Sequence, residues 1–400
     1  MSERYDLALR GRYCTCAGGD TSVREGTLGV RGGLIAYVGG DTIAADEERV
    51  FDGCLLPGLI DPHTHLVFGG TRVDEFARRM AGEDYRTIAA EGGGIAATVR
   101  GTRDASEETL FELAAGRARA LRSRGVTTVE VKSGYGLSTE HELRLLRVAR
   151  RLESEGIVRV TTSFLGAHAV PAGTARERYV DEVCEEQLPA VAEAGLADSC
   201  DVYCDGGAFT LAESRRILET ARGLGLKVRA HVGQFDDLGG AGLLAELGGL
   251  SADHLEQVSD GDLDRMAEAG VVAVLLPGAW RTLRQEPPSA ERLRHHGVTM
   301  AVGTDLNPGT SPTPDLPLCA ALAVRDAGMT LEEALLAVTA NAARAAGTAG
   351  GRLVVGEPAD LAIFPGADPR AIGYALGGLR PSAVYLGGAL VHEGPAAALW

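Results

Sequence analysis

The segment "GLIDPHTHLV", residues 58 to 67, places His63 and His65 one residue apart at the end of an apolar run. On an extended strand, side chains at i and i+2 lie on the same face, so both imidazoles can reach one centre. Groups of related chemistry recur at the ends of later apolar runs: His168 after "TTSFLGA", His231 after "KVRA", His254 after "LSAD" and Asp305 after "MAVGT". Three imidazoles and one carboxylate can hold a divalent ion and still leave a position for water, and such an ion lowers the pKa of bound water to about 7. A lone histidine at a strand end is more often a hydrogen-bonded structural group, so His168 and His254 gain weight only as members of the series. His141, His295, His296 and His392 fall in helical or peripheral segments and read as structural or surface groups.

These residues need a scaffold that brings strand ends together. Between the two ends of the chain, short apolar runs follow stretches of helical period: "VTTVEV" after "LFELAAGRARALRSRG", "VRVTTSFLG" after "ELRLLRVARRLESEG", "KVRAHV" after "SRRILETARGLG". "VVAVLLP" and "VTMAVGT" continue the alternation. Repeated strand–helix units predict an α/β fold with a parallel sheet, and their number fits a TIM-like (β/α)8 barrel over residues 57–351. Residues 1–56 and 352–400 read instead as short strands punctuated by glycines. Neither end could bury a core alone, which predicts a small composite β-sandwich domain built from both. In a (β/α)8 barrel, active-site groups sit where the strands end, and that is where all six candidates fall.

Composition narrows the function classes. The chain has 400 residues, 45% hydrophobic and 24% charged, enough for one large core or two unequal ones. A formal net charge of -16 argues against nucleic acid or an anionic membrane surface as the main partner, since both reward clustered Lys and Arg. The N-terminal stretch has scattered charges and no apolar signal region, and no apolar run approaches the roughly 20 residues of a spanning helix. The seven cysteines are dispersed, with only Cys14 and Cys16 close together and without metal or redox spacing. A small-molecule substrate and a reducing cytoplasm are the expected setting.

The ordered set of HxH, His, His and Asp resembles the amidohydrolase superfamily. Within it, "DPHTHLVFGGTRVDEFARRMAGEDY", "EGGGIAATVRGTR", "VKSGYGL", "GAHAVP", "SADHLE", "LLPGAW" and "TDLNPGTSP" resemble, in order, segments of the imidazolonepropionase family, over about residues 55–345. The resemblance implies hydrolysis of 4-imidazolone-5-propanoate to N-formimidoyl-L-glutamate in histidine degradation, by a homodimer carrying one zinc or iron ion per subunit. It implies His63, His65, His231 and Asp305 as metal ligands, with Asp305 also moving a proton and His254 in an acid–base role. Arg72, Tyr135, His168, Gln234 and Tyr85 match substrate-contacting positions, and Asn307, Gly309 and Thr310 match positions holding the ring and the glutamate-like part of the product. For Arg72 the chemistry is a cationic fork for the propionate tail.

Two positions depart from the family pattern. Gln234 stands where a Glu is frequent, which closes any mechanism with a carboxylate base there. Gly233 stands where an Asp is usual, which predicts a looser loop. Glu91–Ile95 reads as either a lid or a plain loop. Lys132 reads as a structural or substrate-side ion pair rather than a carboxylated lysine bridging two metals. The alternatives are another cyclic amidohydrolase, an aminohydrolase of a heterocyclic ring, which a glutamate behind the third histidine would favour, and a barrel scaffold without metal, which the intact ligand positions disfavour.

Overall fold

The structure is a computed structural model that describes residues 4–83, 87–88 and 91–395. The chain begins with β1 (Tyr5–Cys14), β2 (Val23–Arg31), β3 (Leu34–Gly39) and β4 (Ala45–Pro57). There follow β5 (Leu59–Thr64), β6 (Val126–Lys132), β7 (Arg159–Ala167), β8 (Ser199–Cys204), β9 (Lys227–Val228), β10 (Ala230–Val232), β11 (Ser251–His254), β12 (Val272–Leu275) and β13 (Met300–Val302). The last three are β14 (Leu361–Phe364), β15 (Ala383–Leu386) and β16 (Ala389–Glu393).

Strands β5 to β13 form the expected barrel. They pair in parallel in the order β5-β6-β7-β8-β10-β11-β12-β13, with short β9 beside β8 and resuming one residue later as β10. A bridge from Thr64 to Leu306 and hydrogen bonds from Asp305 N–H to His63 O (3.0 Å) and His65 N–H to Leu306 O (3.1 Å) join the first strand to the loop after the last. The barrel is thereby nearly closed, and the closing bonds are made by candidate site residues themselves.

The helix Glu107–Arg122 shows how the outer layer fixes the strand ends. Ser106 caps it by accepting the Thr109 N–H, and Leu110, Phe111, Ala114, Ala115, Ala118 and Leu121 recur every three or four residues on its buried face. From this helix Arg117 donates to the carbonyls of Leu66 and Phe68 (2.9 Å each) and lies over the Phe68 ring at 3.4 Å. The segment leaving β5 toward Arg72 is thus tied to a helix whose own position rests on apolar burial. Truncating Leu121 to Ala should cost about 2–5 kcal/mol and loosen this anchor.

The interior of the barrel below the strand ends is polar. Glu130, Lys132, Asp201, Arg229 and Asp253 are all buried there. Lys132 Nζ lies 2.7 Å from Asp201 Oδ2, 3.1 Å from Glu130 Oε1 and 3.5 Å from Asp253 Oδ2. Arg229 stands 3.7 Å from Glu130 and donates to the carbonyls of Pro62 (3.2 Å) and Ala345 (2.9 Å). Buried charges persist only when paired, and here the pairing crosses several strands.

The terminal segments form one mixed sheet in the order β16-β15-β14-β4-β1-β2-β3, with β1 parallel to β4 and antiparallel to β2. The edge strand β3 bonds back to the segment before β14, through Ile35 N–H to Glu357 O (2.9 Å) and Ala359 N–H to Gly33 O (2.9 Å). A single sheet therefore curls around Leu7, Leu9, Leu28, Val30, Ile35, Leu361, Ile363 and Tyr385, where two layers were expected. Gly58 alone separates β4 from β5, and its N–H bonds to Asp360 O (2.8 Å). A Cβ at Gly58 would fall on the Thr127 side chain, so only glycine lets the first barrel strand pass this close.

Candidate active site

His63, His65, His231, His254 and Asp305 converge at the strand ends. Nε2 of His65 lies 3.2 Å from Nε2 of His231, and Asp305 Oδ1 lies 3.5 Å from Nε2 of both His63 and His65. The rings of His63 and His231 are 4.6 Å apart, and that of His254 is 6.0 Å from His63 and 5.5 Å from His231. Two overlapping sets, His63 with His231 and His254, and His63 with His65 and Asp305, each gather donor atoms within 4.8 Å of one another. His254 (φ 84°) and Asp305 (φ 51°) both adopt positive φ, a backbone region that non-glycine residues occupy uncommonly. In His254 this breaks the strand alternation: consecutive Asp253 and His254 both reach the His63 side of the barrel.

The second layer fixes the imidazole tautomers. His63 Nδ1 meets Asp253 Oδ2 at 2.6 Å, and His231 Nδ1 meets Asp201 Oδ1 at 2.9 Å. A carboxylate can only accept, so both Nδ1 atoms carry the proton and both Nε2 lone pairs face the centre. His63 Nε2 is buried without a hydrogen-bond partner among the described residues. Burial, together with neighbouring positive charge, pushes His63 and His65 well below the ordinary histidine range, so these rings are neutral donors. Burial also raises Asp305 to about 6 against the pull of His254 and His231. For His254, burial works to lower the pKa, but Glu256 at 3.7 Å, with Asp305 and Asp253, outweighs it and the net shift is upward.

Beneath the centre Glu130, Asp201 and Asp253 are paired with Lys132 and Arg229, and Asp305 stands beside the imidazoles of His63 and His65. Asp61, pushed by burial up to about 7, spends its oxygens on the N–H and hydroxyl of Thr304. The donor set of neutral imidazoles and a carboxylate fits a divalent metal ion.

Around this centre the chamber is lined by Arg72, Tyr135, His168, Tyr203, Gln234, Asn307 and Thr310, with Ile95, Phe235 and Leu283 as apolar wall. Arg72 precedes the helix Val73–Met80 and pairs with Glu75 (2.8 Å). His168 stacks on His65 (5.0 Å between centroids, 18° between planes) and donates Nδ1–H to Gly134 O (3.0 Å). Tyr135 packs against both rings at 5.6 and 5.3 Å. Asn307 turns inward on its own loop: its Oδ1 accepts the N–H of Gly309 (2.8 Å) and Thr310 (2.7 Å), and its Nδ2 donates to Asp305 O (2.7 Å). Gly309 backs the Arg72 guanidinium, with no room for a Cβ. Tyr85 lies outside the described residues. His141, His295, His296 and His392 stand away from the cluster, on helices, at a helix C-cap (His296) or on the edge strand β16.

Several site residues escaped the sequence reading. Asp201, which orients His231, and Tyr203, which lines the chamber, lie on a strand too polar to read as core, while Asp253, which orients His63, directly precedes His254, and strand alternation points it away from that residue's face. Period two along β8 was the available signal, since Asp201 and Tyr203 share a face ending at the same rim. Lys132 takes the structural ion-pair role. The loop after β10 is not loosened by Gly233. Asp205 accepts the N–H groups of Gln234 (2.7 Å), Phe235 (3.0 Å) and Asp236 (2.9 Å), and a Cβ at Gly233 (φ 65°) would meet the Gln257 carbonyl. Within Glu91–Ile95, Gly94 donates its N–H to Glu75 (3.1 Å), linking this segment to Arg72.

Comparison with known proteins places this geometry. The amidohydrolase family profile matches residues 54–391. An imidazolonepropionase of Verminephrobacter eiseniae is 49% identical over 344 residues, 84% of this chain and 75% of that protein. One of Cupriavidus taiwanensis is 46% identical over 392 residues, 94% and 93% of the two chains. Among solved structures, an adenosine deaminase of Xanthomonas campestris with bound zinc superposes with a TM-score of 0.74 at 19% identity, covering 97% of this chain and 93% of that one. That likeness establishes the fold. The profile, the relatives and the barrel with its strand-end histidines agree that the chain belongs to the amidohydrolase family and, within it, to the imidazolonepropionases.

Proposed function

We propose that this enzyme hydrolyses 4-imidazolone-5-propanoate to N-formimidoyl-L-glutamate, the third step of L-histidine degradation. The observation that carries the reading is the joining, in one chamber, of a neutral-imidazole and carboxylate cluster with a buried arginine, Arg72, in a chain 46–49% identical to proteins named imidazolonepropionase. His63, His65, His231 and Asp305 would hold one divalent ion, zinc or iron. When bound, that ion supplies Lewis-acid activation of water and of the ring carbonyl.

The protein's own groups do the rest. Water adds its oxygen to the ring carbonyl carbon, and Asp305 takes the proton released and passes it to the ring nitrogen as the carbon–nitrogen bond breaks. His254, whose protonated form is favoured by Glu256, Asp305 and Asp253 against the effect of burial, donates to the carbonyl oxygen where negative charge develops. Arg72 pairs with the propionate, while Tyr135 and His168 flank the ring. Gln234 cannot serve as a base. A homodimer is the assembly the family resemblance suggests, and light scattering would read twice the mass of the chain. Metal-loaded protein incubated with imidazolone propanoate should yield formimidoylglutamate by mass spectrometry; no turnover would overturn the assignment.

A further inference from the structure

Tyr203 has no part in the chemistry above, yet its hydroxyl bonds to the side chain of Gln234. It stands at the rim end of β8, in register with His231 of β10, with its ring 5.7 Å from that of His231 and 6.2 Å from that of His168. Its hydroxyl donates to Gln234 Oε1 at 2.7 Å. Gln234 is held at both ends of its peptide unit. Its N–H donates to Asp205 Oδ2 (2.7 Å), and its carbonyl accepts from Gln285 Nε2 (2.7 Å). The preceding carbonyl, that of Gly233, accepts the Gln257 N–H (2.6 Å). With the backbone fixed and Oε1 occupied, the carboxamide presents its NH2 group to the chamber, where it donates to no protein acceptor among the described residues.

We infer that Tyr203 is a positioning residue that locks Gln234 as a hydrogen-bond donor, and that this pair selects rings offering an acceptor at that edge over rings carrying an amino group there. A carbonyl oxygen at that edge completes the bond. An exocyclic amino group sets donor against donor in a desolvated wall, and neither finds a partner. The inference rests on the ring-amide reading above and extends it to the step that separates this chain from aminohydrolases sharing its fold.

The test uses zinc-loaded full-length protein and two ligands that differ in the group on the ring carbon between the two nitrogens, and with it in one ring N–H: hydantoin-5-propanoate, with an oxo group, and 2-aminoimidazol-4-one-5-propanoate, with an amino group. Affinities are read by calorimetry, so a failure of selectivity and a failure to hydrolyse imidazolone propanoate are separate results. Wild type should bind the oxo ligand at least about tenfold more tightly than the amino ligand. In Tyr203→Phe, whose amide is free to turn over, the ratio should fall below about threefold, and in Gln234→Glu, which can only accept, it should invert. A wild-type preference for the amino ligand, or an unchanged ratio in Tyr203→Phe, overturns the inference. Should Tyr203→Phe fail to fold, Gln234→Glu decides alone, and an oxo preference retained there also overturns it.

Discussion

The Arg72→Met variant separates recognition of the propionate from catalysis at the ring. Arg72 is only 6% exposed, and its guanidinium lies between Glu75 (2.8 Å) and the bare face of Gly309. Removing it deletes the fork that a carboxylate would meet and leaves Glu75, itself 13% exposed, facing the incoming anion. Truncating one partner of a buried charge pair costs about 2–5 kcal/mol, or about 30- to 5,000-fold in kcat/KM. Because Arg72 already has Glu75 as a partner before substrate arrives, part of its gain on binding is an exchange of one carboxylate for another. The lower half of that range, about 2–3 kcal/mol, is therefore expected. The assay is steady-state kinetics of metal-loaded enzyme on imidazolone propanoate and on a 5-alkyl imidazolone lacking the carboxylate. The loss should shrink to a few-fold on the neutral analogue, and Glu75→Gln added to Arg72→Met should recover part of it on the charged substrate. Equal loss on both substrates would refute the reasoning and make Arg72 a support of the loop that carries it.

Lys132→Met should weaken metal binding by about 10- to 100-fold, because Asp201 and Asp253 lose the ammonium that holds them against His231 and His63. Competition with a chromophoric chelator reads this directly, and tighter binding, as simple removal of a positive charge would give, would count against it. His254→Asn should retain the ion and substrate affinity while kcat falls by roughly two to four orders of magnitude; loss of metal would make His254 a ligand, as its place beside His63 and His231 allows. Gly233→Ala, forced into the left-handed region against the Gln257 carbonyl, should destabilise by about 2 kcal/mol or more. Denaturant unfolding with unchanged midpoint would show that the loop yields. Stripping the metal with a chelator should lower thermal stability as well as activity, since an ion at a hundred times its Kd adds about 2.7 kcal/mol.

The convergence of His63, His65, His231, His254 and Asp305 was legible because its signal is local. An i, i+2 histidine pair needs only strand geometry to converge, and the later histidines and Asp305 follow apolar runs whose ends a barrel must gather. The layer beneath was not legible, because it inverts the pattern on which such reading depends. Asp201, Lys132, Arg229 and Asp253 point inward where a barrel core is usually branched and apolar, and only mutual pairing across strands makes that burial tolerable. The strand Ser199–Cys204 carries Asp201 in its middle and so does not read as a buried strand at all. Gly233 misled for a different reason: missing side-chain bulk suggests freedom, but here it is what allows a close carbonyl contact. The closure of the terminal sheet upon itself depends on bonds between residues near 35 and 357, too far apart in sequence for local pattern to reveal.

The central claim is that His63, His65, His231 and Asp305 hold one ion that serves ring-amide hydrolysis. The most direct measurement pairs metal analysis with turnover on the same preparation, for wild type and His231→Ala. The account predicts one equivalent of zinc or iron per wild-type chain and conversion of imidazolone propanoate to N-formimidoyl-L-glutamate, with both lost together in His231→Ala. Two equivalents per chain, full metal content in His231→Ala, or a metal-loaded wild type that leaves the ring intact would contradict it.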